Sequence, residues 1–230
     1  MVLKKAVAVA ALVSLAACSS GGGSGSSVPQ GRGILSTGGG ATWQSLDSQT
    51  VQPSGADLAA FGFAVKPNSR LLVTQNDKTK NPFLGDHSSQ PISATVSVTA
   101  LSPGATFTYD TTNNPCGTPA TVRLFFSSTG GPFAFTDYWW SDSASVTLDA
   151  LKAGPQTLTA TLDPATPWSD WNGQPSAANA PAFMAAAQNM TSVGLSFGGG
   201  CFFENGVGTS DGSGVFNLKS FSDGTTGTRP

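Results

Sequence analysis

The stretch Ile92-Ser93-Ala94-Thr95-Val96-Ser97-Val98-Thr99 alternates between apolar and hydroxyl-bearing residues. Successive side chains of a β-strand point to opposite faces, so Ile92, Ala94, Val96 and Val98 would face inward while the serines and threonines face outward. A helix would instead repeat its apolar residues every three or four positions. The stretch therefore predicts a half-buried strand.

Similar short runs continue along the chain, separated by turn residues at intervals of roughly ten residues, the spacing of a β-sandwich or jelly roll. The other predicted strands are Phe61–Val65, Arg70–Gln75, Thr106–Tyr109, Thr121–Ser127, Ser145–Leu148, Gln156–Leu162, Val193–Gly198 and Val215–Phe221. One helix is predicted over Ala182–Met190, because its apolar residues recur at helical spacing and Pro181 stands near its start. We expect this helix to cover one end of an all-β sandwich.

The composition agrees with a β-protein. Charged residues make up only 10% of the chain, and its formal net charge is −2. Helical surfaces normally carry Glu, Lys and Arg, whereas this chain is rich in Gly, Ser, Thr, Asn and Pro. Nucleic acid is excluded as an expected partner, because phosphate binding needs a concentrated basic surface.

The N-terminus carries Lys4 and Lys5, an uncharged run over 6–17, and then Leu15-Ala16-Ala17-Cys18. This pattern resembles a bacterial lipoprotein signal with its lipobox. A run of this length is shorter than the ~20 apolar residues that a membrane-spanning helix needs. The resemblance implies cleavage after residues 1–17 and acylation of Cys18, with membrane lipid as its partner. An uncleaved anchor is the alternative.

The resemblance also sets the expected location, whereas the composition sets the expected boundaries. Ser19, rather than Asp, follows the cysteine, which implies the outer membrane if the host is Gram-negative. Residues 18–41 are Ser- and Gly-rich and predict a flexible tether. We expect one sandwich domain over 42–222 and a frayed tail over 223–230.

Two cysteines, Cys116 and Cys201, remain beside the lipidated one. Thiols that meet in an exported protein become disulfides, so we predict that they pair. The bridge would stabilise the fold by roughly 4–5 kcal/mol in the chain-entropy model. The alternative is two unpaired buried cysteines.

Three segments carry a resemblance to a known fold. They are Leu84–His87 with Ile92–Val98, Trp168–Gly173, and Phe183–Asn189 followed by Val193–Gly198. Together they resemble the galactose-binding-like jelly rolls found in many carbohydrate-binding modules. The resemblance implies a jelly-roll sandwich with a short helix before a late strand, and a carbohydrate or related envelope polymer as ligand.

The aromatic residues give the main functional indication. Aromatic faces stack on the C–H faces of sugar rings, while nearby Asp, Asn and Ser groups bind the hydroxyls. The predicted ligand-binding residues are Tyr138, Trp139, Trp140, Trp168 and Trp171, with Asp137, Asp142 and Asp170 as polar partners. Neighbouring strand residues face opposite ways, so we expect Trp139 and Trp140 not to be both in the core. The alternative is that these tryptophans are structural.

Metal binding and catalysis have weaker support. Asp137, Asp142, Asp163, Asp170 and Asp211 could supply oxygens to a structural calcium, although no spacing matches a calcium loop and turn formation explains most of them. His87 lies in a polar segment that predicts a turn, and Glu204-Asn205-Gly206 predicts a hairpin tip. We therefore expect a non-catalytic carbohydrate-binding lipoprotein. The alternatives are an adhesion lipoprotein that binds a protein partner, and a glycoside hydrolase that pairs Glu204 with an aspartate.

Overall fold

The computed structural model describes residues 35–36, 41–45, 51–54, 57–74, 78–112, 116–128 and 133–224. These ranges contain fourteen strands, which are β1 (Leu35–Ser36), β2 (Thr42–Ser45), β3 (Gln52–Ser54), β4 (Asp57–Gly62), β5 (Leu71–Thr74), β6 (Pro91–Thr99), β7 (Phe107–Tyr109), β8 (Thr121–Ser127), β9 (Tyr138–Thr147), β10 (Gln156–Thr161), β11 (Trp168–Asp170), β12 (Ser192–Gly198), β13 (Val207–Thr209) and β14 (Val215–Ser222). The helix α1 spans Ala180–Gln188. Short 3-10 helices span Phe135–Asp137, Leu148–Ala153 and Ser176–Asn179.

Two antiparallel sheets form the sandwich. The larger has seven strands in the order β1-β2-β5-β12-β8-β9-β11, and the smaller has five in the order β10-β6-β14-β4-β3. Strands β13 and β7 form a separate pair. The predicted fold class, an all-β jelly-roll sandwich with one short helix, is confirmed. Its likeness to galactose-binding-like modules in particular stays a prediction.

Strand β6 has the two faces that its sequence predicts. Ile92, Ala94 and Val96 are buried and belong to the main core between the sheets. On the opposite face the Oγ of Ser93 lies 3.0 Å from Oγ1 of Thr159 in β10. The alternation thus separates a core side from a side of cross-strand hydroxyl contacts.

Helix α1 packs against the core through Phe183. The ring centroid of Phe183 lies 4.9 Å from that of Trp139, 5.5 Å from that of Phe126 and 6.0 Å from that of Trp168. The helix begins two residues before the predicted start and places Pro181 in its first turn, where proline's missing N–H costs nothing. The predicted helix is confirmed as a cover of the core.

Strand β9 is longer than predicted and carries a bulge. It begins at Tyr138, not at the predicted Ser145. Its pairing with β8 is interrupted, since Arg123 pairs with Ser145 whereas Phe125 pairs with Trp140. More residues of β9 than of β8 lie between these two pairs, so β9 carries the extra residues of a bulge there. A bulge of this kind redirects side chains from the regular alternation.

The predicted signal over 1–17, Cys18, most of the tether and residues 225–230 lie outside the described residues, so those assignments stay predictions. Among the described residues, no helix has both the length and the apolar character needed to span a bilayer.

Gly194 at the middle of β12 offers a test of the packing between strands. A Cβ at this position would lie 2.2 Å from the Leu72 carbonyl oxygen and 2.8 Å from the Val73 Cα, both backbone atoms of β5. We expect Gly194→Ala to lower the free energy of unfolding by about 1–3 kcal/mol, because the two strands must separate to accept the methyl group. Urea unfolding measures the change.

The matched control is Gly62→Ala in β4. No atom lies within 4 Å of a Cβ built at Gly62. This variant should change the free energy of unfolding by less than about 0.5 kcal/mol. Equal stability of the two variants would contradict the close approach of β12 and β5.

Candidate functional site

The seven-stranded sheet buries apolar side chains on both faces. Its inner face forms the main core, whereas Leu71, Val73, Phe125 and Trp140 form a second buried cluster on its outer face. Because neighbouring strand residues point in opposite directions, Trp139 enters the main core and Trp140 enters the second cluster. The outer face therefore needs its own apolar cover.

That cover ends in a group of rings at the protein surface, which we call the aromatic patch. It consists of Phe133, Phe135, Tyr138, Trp140 and Trp171. The ring centroid of Trp171 lies 5.6 Å from that of Phe133, 5.4 Å from that of Tyr138 and 5.7 Å from that of Trp140. Phe133, Phe135 and Trp171 are 57%, 47% and 46% exposed, whereas Trp140 is buried. The patch thus connects the buried second cluster to solvent.

Three of the six ring contacts within the patch are edge to face. The planes of Phe133 and Trp171 are 89° apart, those of Phe133 and Phe135 are 88° apart, and those of Tyr138 and Trp171 are 65° apart. Edge-to-face contacts are a favourable arrangement of aromatic quadrupoles. The result is a stepped apolar surface rather than a flat one.

Trp171 is held at the tip of a tight turn by Asp170. The Oδ1 of Asp170 accepts hydrogen bonds from the backbone N–H groups of Asn172 at 2.9 Å and of Gln174 at 2.8 Å. Its Oδ2 accepts from the Nδ2 of Asn179 at 3.4 Å. The carboxylate is buried. Asp170 therefore positions Trp171 and does not face a ligand, which corrects its predicted role as a polar binding residue.

Tyr138 belongs to the patch, and Asp137 precedes it directly in the chain. Burial raises the pKa of the Tyr138 hydroxyl, and the nearby carboxylates of Asp137 and Glu204 raise this pKa further. The Oδ2 of Asp137 accepts a hydrogen bond from the backbone N–H of Ala134 at 3.2 Å. Asp137 thereby anchors the short 3-10 helix that carries Phe135.

A strip of polar residues lies beside the patch at the bulge of β9. We call Arg123, Asp142 and Ser169 the polar strip. The hydroxyl of Ser169 donates to Asp142 Oδ2 at 2.6 Å, and the Arg123 guanidinium lies 3.8 Å from Asp142 Oδ1. Burial lowers the pKa of Arg123 to about 10, and the charge of Asp142 partly opposes this. Arg123 also donates to the Ser141 carbonyl at 3.3 Å.

The predicted disulfide between Cys116 and Cys201 is confirmed. The two Cα atoms lie 5.2 Å apart. The loop that follows Cys201 places the Phe203 ring over the guanidinium of Arg123, 3.7 Å from the ring centroid to Cζ. The Phe203 carbonyl accepts a hydrogen bond from Ser196 Oγ, which in turn accepts from Trp140 Nε1. The disulfide therefore fastens a loop that covers the second cluster.

Three of the predicted stacking tryptophans are not available to a ligand. Trp139 and Trp168 have no exposed surface, and their indole N–H groups donate to the carbonyls of Thr136 and Thr161. Trp140 is only 4% exposed. The prediction that these three stack on a ligand is wrong. The expectation that Trp139 and Trp140 are not both in the core is wrong as well, because β9 is covered on both faces and each ring enters a core cluster on its own face.

Sequence reasoning missed Phe133, Phe135 and Phe203. Phe133 and Phe135 flank Ala134 just before β9. Two phenylalanines spaced by one residue directly after Gly131-Pro132 are a sequence signal for apolar side chains kept outside the core. Phe203 had no comparable signal, because its position depends on the loop that the disulfide fastens.

The other candidate residues, His87 and Glu204, lie in a turn and a loop. His87 is buried in a turn where Asp86 Oδ1 accepts from the Ser88 N–H at 3.0 Å. Its Nδ1 lies 3.8 Å from a carboxylate oxygen of Asp223. Glu204 lies in the loop between β12 and β13, where Gly206 has a φ of +94°.

No three His, Cys, Asp or Glu side chains converge on a possible metal position in the part of the chain that the structure describes. Two of the aspartates considered for calcium form turns instead. Asp163 accepts from the Ala165 N–H at 2.7 Å, and Asp211 accepts from the Ser213 N–H at 2.9 Å.

Comparison with known proteins gives few matches. No protein-family model matches the chain. No curated protein matches it either. Among solved structures, a protein described as xylan-binding module CBM15 matches with 14% sequence identity and a TM-score of 0.36, covering 80% of this chain and 94% of that one.

The hydrogen bonds of Asp170 predict a specific effect on Trp171. Asp170→Ala leaves the N–H groups of Asn172 and Gln174 without their acceptor, so we expect a loss of about 1–3 kcal/mol in the free energy of unfolding and a more mobile Trp171. Asp170→Asn keeps one carbonyl oxygen as an acceptor. Its free energy of unfolding should therefore lie between that of Asp170→Ala and that of the original protein. Denaturant unfolding measures the stability, and ¹⁵N relaxation of the Trp171 indole measures the mobility. An indole as rigid as in the original protein would argue against this role for Asp170.

Proposed function

We propose that the protein is a non-catalytic carbohydrate-binding protein of the bacterial cell envelope. The observation that carries the proposal is the exposed aromatic patch on the sheet, in which Trp171 contacts Phe133 and Tyr138. Indole and phenyl rings are suited to the apolar C–H faces of sugar rings, and these contacts need no large pocket.

The fixed position of Trp171 supports this role. A ligand that stacks on a freely moving side chain must first restrict it, which reduces affinity. Here Asp170 holds the turn, and Phe133 and Tyr138 flank the indole. Trp171 is thereby ordered before a sugar arrives.

Polar groups beside the rings support recognition of hydroxyls. Asn172 and Gln174 are exposed in the same turn as Trp171, and amide groups can both donate to and accept from a sugar hydroxyl. A small number of polar groups around an apolar surface is the usual composition of a ligand site.

The non-catalytic part of the proposal rests on how the nearby carboxylates are used. Asp137 and Asp170 accept hydrogen bonds from backbone N–H groups that shape the patch. Glycoside hydrolysis requires two carboxyl groups that flank the bond to be broken. Because both carboxylates already accept backbone hydrogen bonds, we infer that these two aspartates are structural rather than catalytic residues.

Trp171→Ala tests the proposed binding surface. We expect it to weaken binding of a responding polysaccharide by about tenfold or more, because it removes an exposed ring that contacts three other rings of the patch. Trp171→Phe keeps a smaller aromatic ring, so it should lose less affinity than Trp171→Ala. The probes are soluble β-glucan, xylan, galactan and chitin oligosaccharides and peptidoglycan fragments, and affinity is measured by calorimetry.

Val65→Ala is the control, since Val65 is an apolar residue 60% exposed outside the patch. It should bind like the original protein. No response to any of these glycans, together with a crosslinked protein partner that Trp171→Ala loses, would replace the proposal with adhesion to a protein.

The proposal includes attachment to membrane lipid through acylated Cys18, in the outer membrane where the host is Gram-negative. It rests on the lipobox-like Leu15-Ala16-Ala17-Cys18. Cys18→Ala should move the protein from the membrane fraction to the soluble exported fraction or leave it as an unprocessed precursor. Fractionation with mass spectrometry of the N-terminus measures this. A mature N-terminus without acyl chains in the original protein would contradict the anchor.

A further inference from the structure

The polar strip continues the aromatic patch across the sheet. Ser169 pairs in register with Trp140, and the Trp140 ring lies 5.7 Å from Trp171. Ser169 also donates to Asp142. A path of direct neighbours therefore runs from the exposed indole of Trp171 through Trp140 and Ser169 to Asp142.

The bulge in β9 brings Asp142 to this position. It interrupts the pairing of β8 with β9, so that Arg123 from β8 and Ser169 from β11 both reach the same carboxylate. The backbone N–H of Asp142 donates to the Pro167 carbonyl at 3.0 Å, which keeps this part of β9 beside the segment leading into β11. Bulges often direct a side chain toward a functional surface.

The charges of the strip favour an uncharged ligand. The side chain of Asp142 is 34% exposed, whereas that of Arg123 is 11% exposed and covered by the Phe203 ring. A ligand at this place meets carboxylate oxygens first. A carboxylate has about four acceptor positions and accepts readily from hydroxyl groups. The guanidinium of Arg123, which lies under the Phe203 ring, partly balances the negative charge of Asp142.

We propose that the polar strip is a second subsite, in which Asp142 accepts hydrogen bonds from the hydroxyls of a neutral oligosaccharide whose neighbouring sugar stacks on Trp171. The inference rests on the proposed function. It names the ligand class as a neutral chain of at least two sugar units, and it assigns Arg123 and Ser169 as positioning residues for Asp142.

The test measures affinity against chain length. The probes are neutral oligosaccharides of increasing length, from the monosaccharide upward, prepared from each polysaccharide of the binding panel and measured by calorimetry. The original protein should bind longer chains more tightly than the monosaccharide. Asp142→Ala should lose about tenfold in affinity for the longer chains, the size expected for a charge-assisted hydrogen bond, and keep its affinity for the shortest ligand.

Two variants complete the design. Asp142→Asn retains an acceptor oxygen and should recover part of the chain-length effect. A merely structural role would instead change the affinity for the monosaccharide as well. Asp149→Asn is the control, because Asp149 is an exposed aspartate paired with Lys152 at 2.6 Å in the 3-10 helix Leu148–Ala153. It should behave as the original protein.

The possible failures are distinguishable. Absence of binding to every oligosaccharide would overturn the proposed function and this subsite together. Binding that depends on Trp171 but is unaffected by Asp142→Ala at every length would overturn the subsite alone. An equal loss at all lengths, including the monosaccharide, would also overturn it, because Asp142 would then act on the fold or on the first sugar.

Discussion

The structure depends on one constraint, which is that the seven-stranded sheet must be covered on both faces. Strand β9 shows this most directly, because Trp139 packs into the main core while Trp140 packs into the second cluster on the other side. One face is covered by the five-stranded sheet and α1. The other is covered in part by the Phe203 loop and in part by the aromatic patch. The exposed rings lie where this second cover meets solvent.

This arrangement explains why the aspartates near the patch accept hydrogen bonds from backbone N–H groups. An exposed tryptophan in a loose loop would collapse onto the apolar face, whereas Asp170 fixes the turn that holds Trp171 outward. Asp137 does the same for the short helix of Phe135. The Arg123 guanidinium, stacked under Phe203, ties the disulfide loop to the sheet. A surface of fixed shape follows from these supports.

Much of the fold could be predicted from the sequence because its strands have strong local signals. Strand β6 alternates cleanly, and α1 has helical spacing with Pro181 in its first turn. The start of β9 at Tyr138 could not be predicted in the same way, since a bulge breaks the alternation there. Short strands such as β11 contain only three residues and take their conformation from the neighbouring strand.

The site was predicted only in part, for a related reason. Alternation correctly separates Trp139 from Trp140, yet it cannot tell that a distant loop covers the outer side. Only Trp171 and the half-buried Tyr138 remain available among the predicted aromatic residues. The most direct test follows the five tryptophan indole N–H resonances by NMR during titration with a binding oligosaccharide. The account predicts that Trp171 shifts most and that Trp43, Trp139 and Trp168 stay unchanged. A titration that shifts these buried tryptophans and leaves Trp171 in place would contradict it.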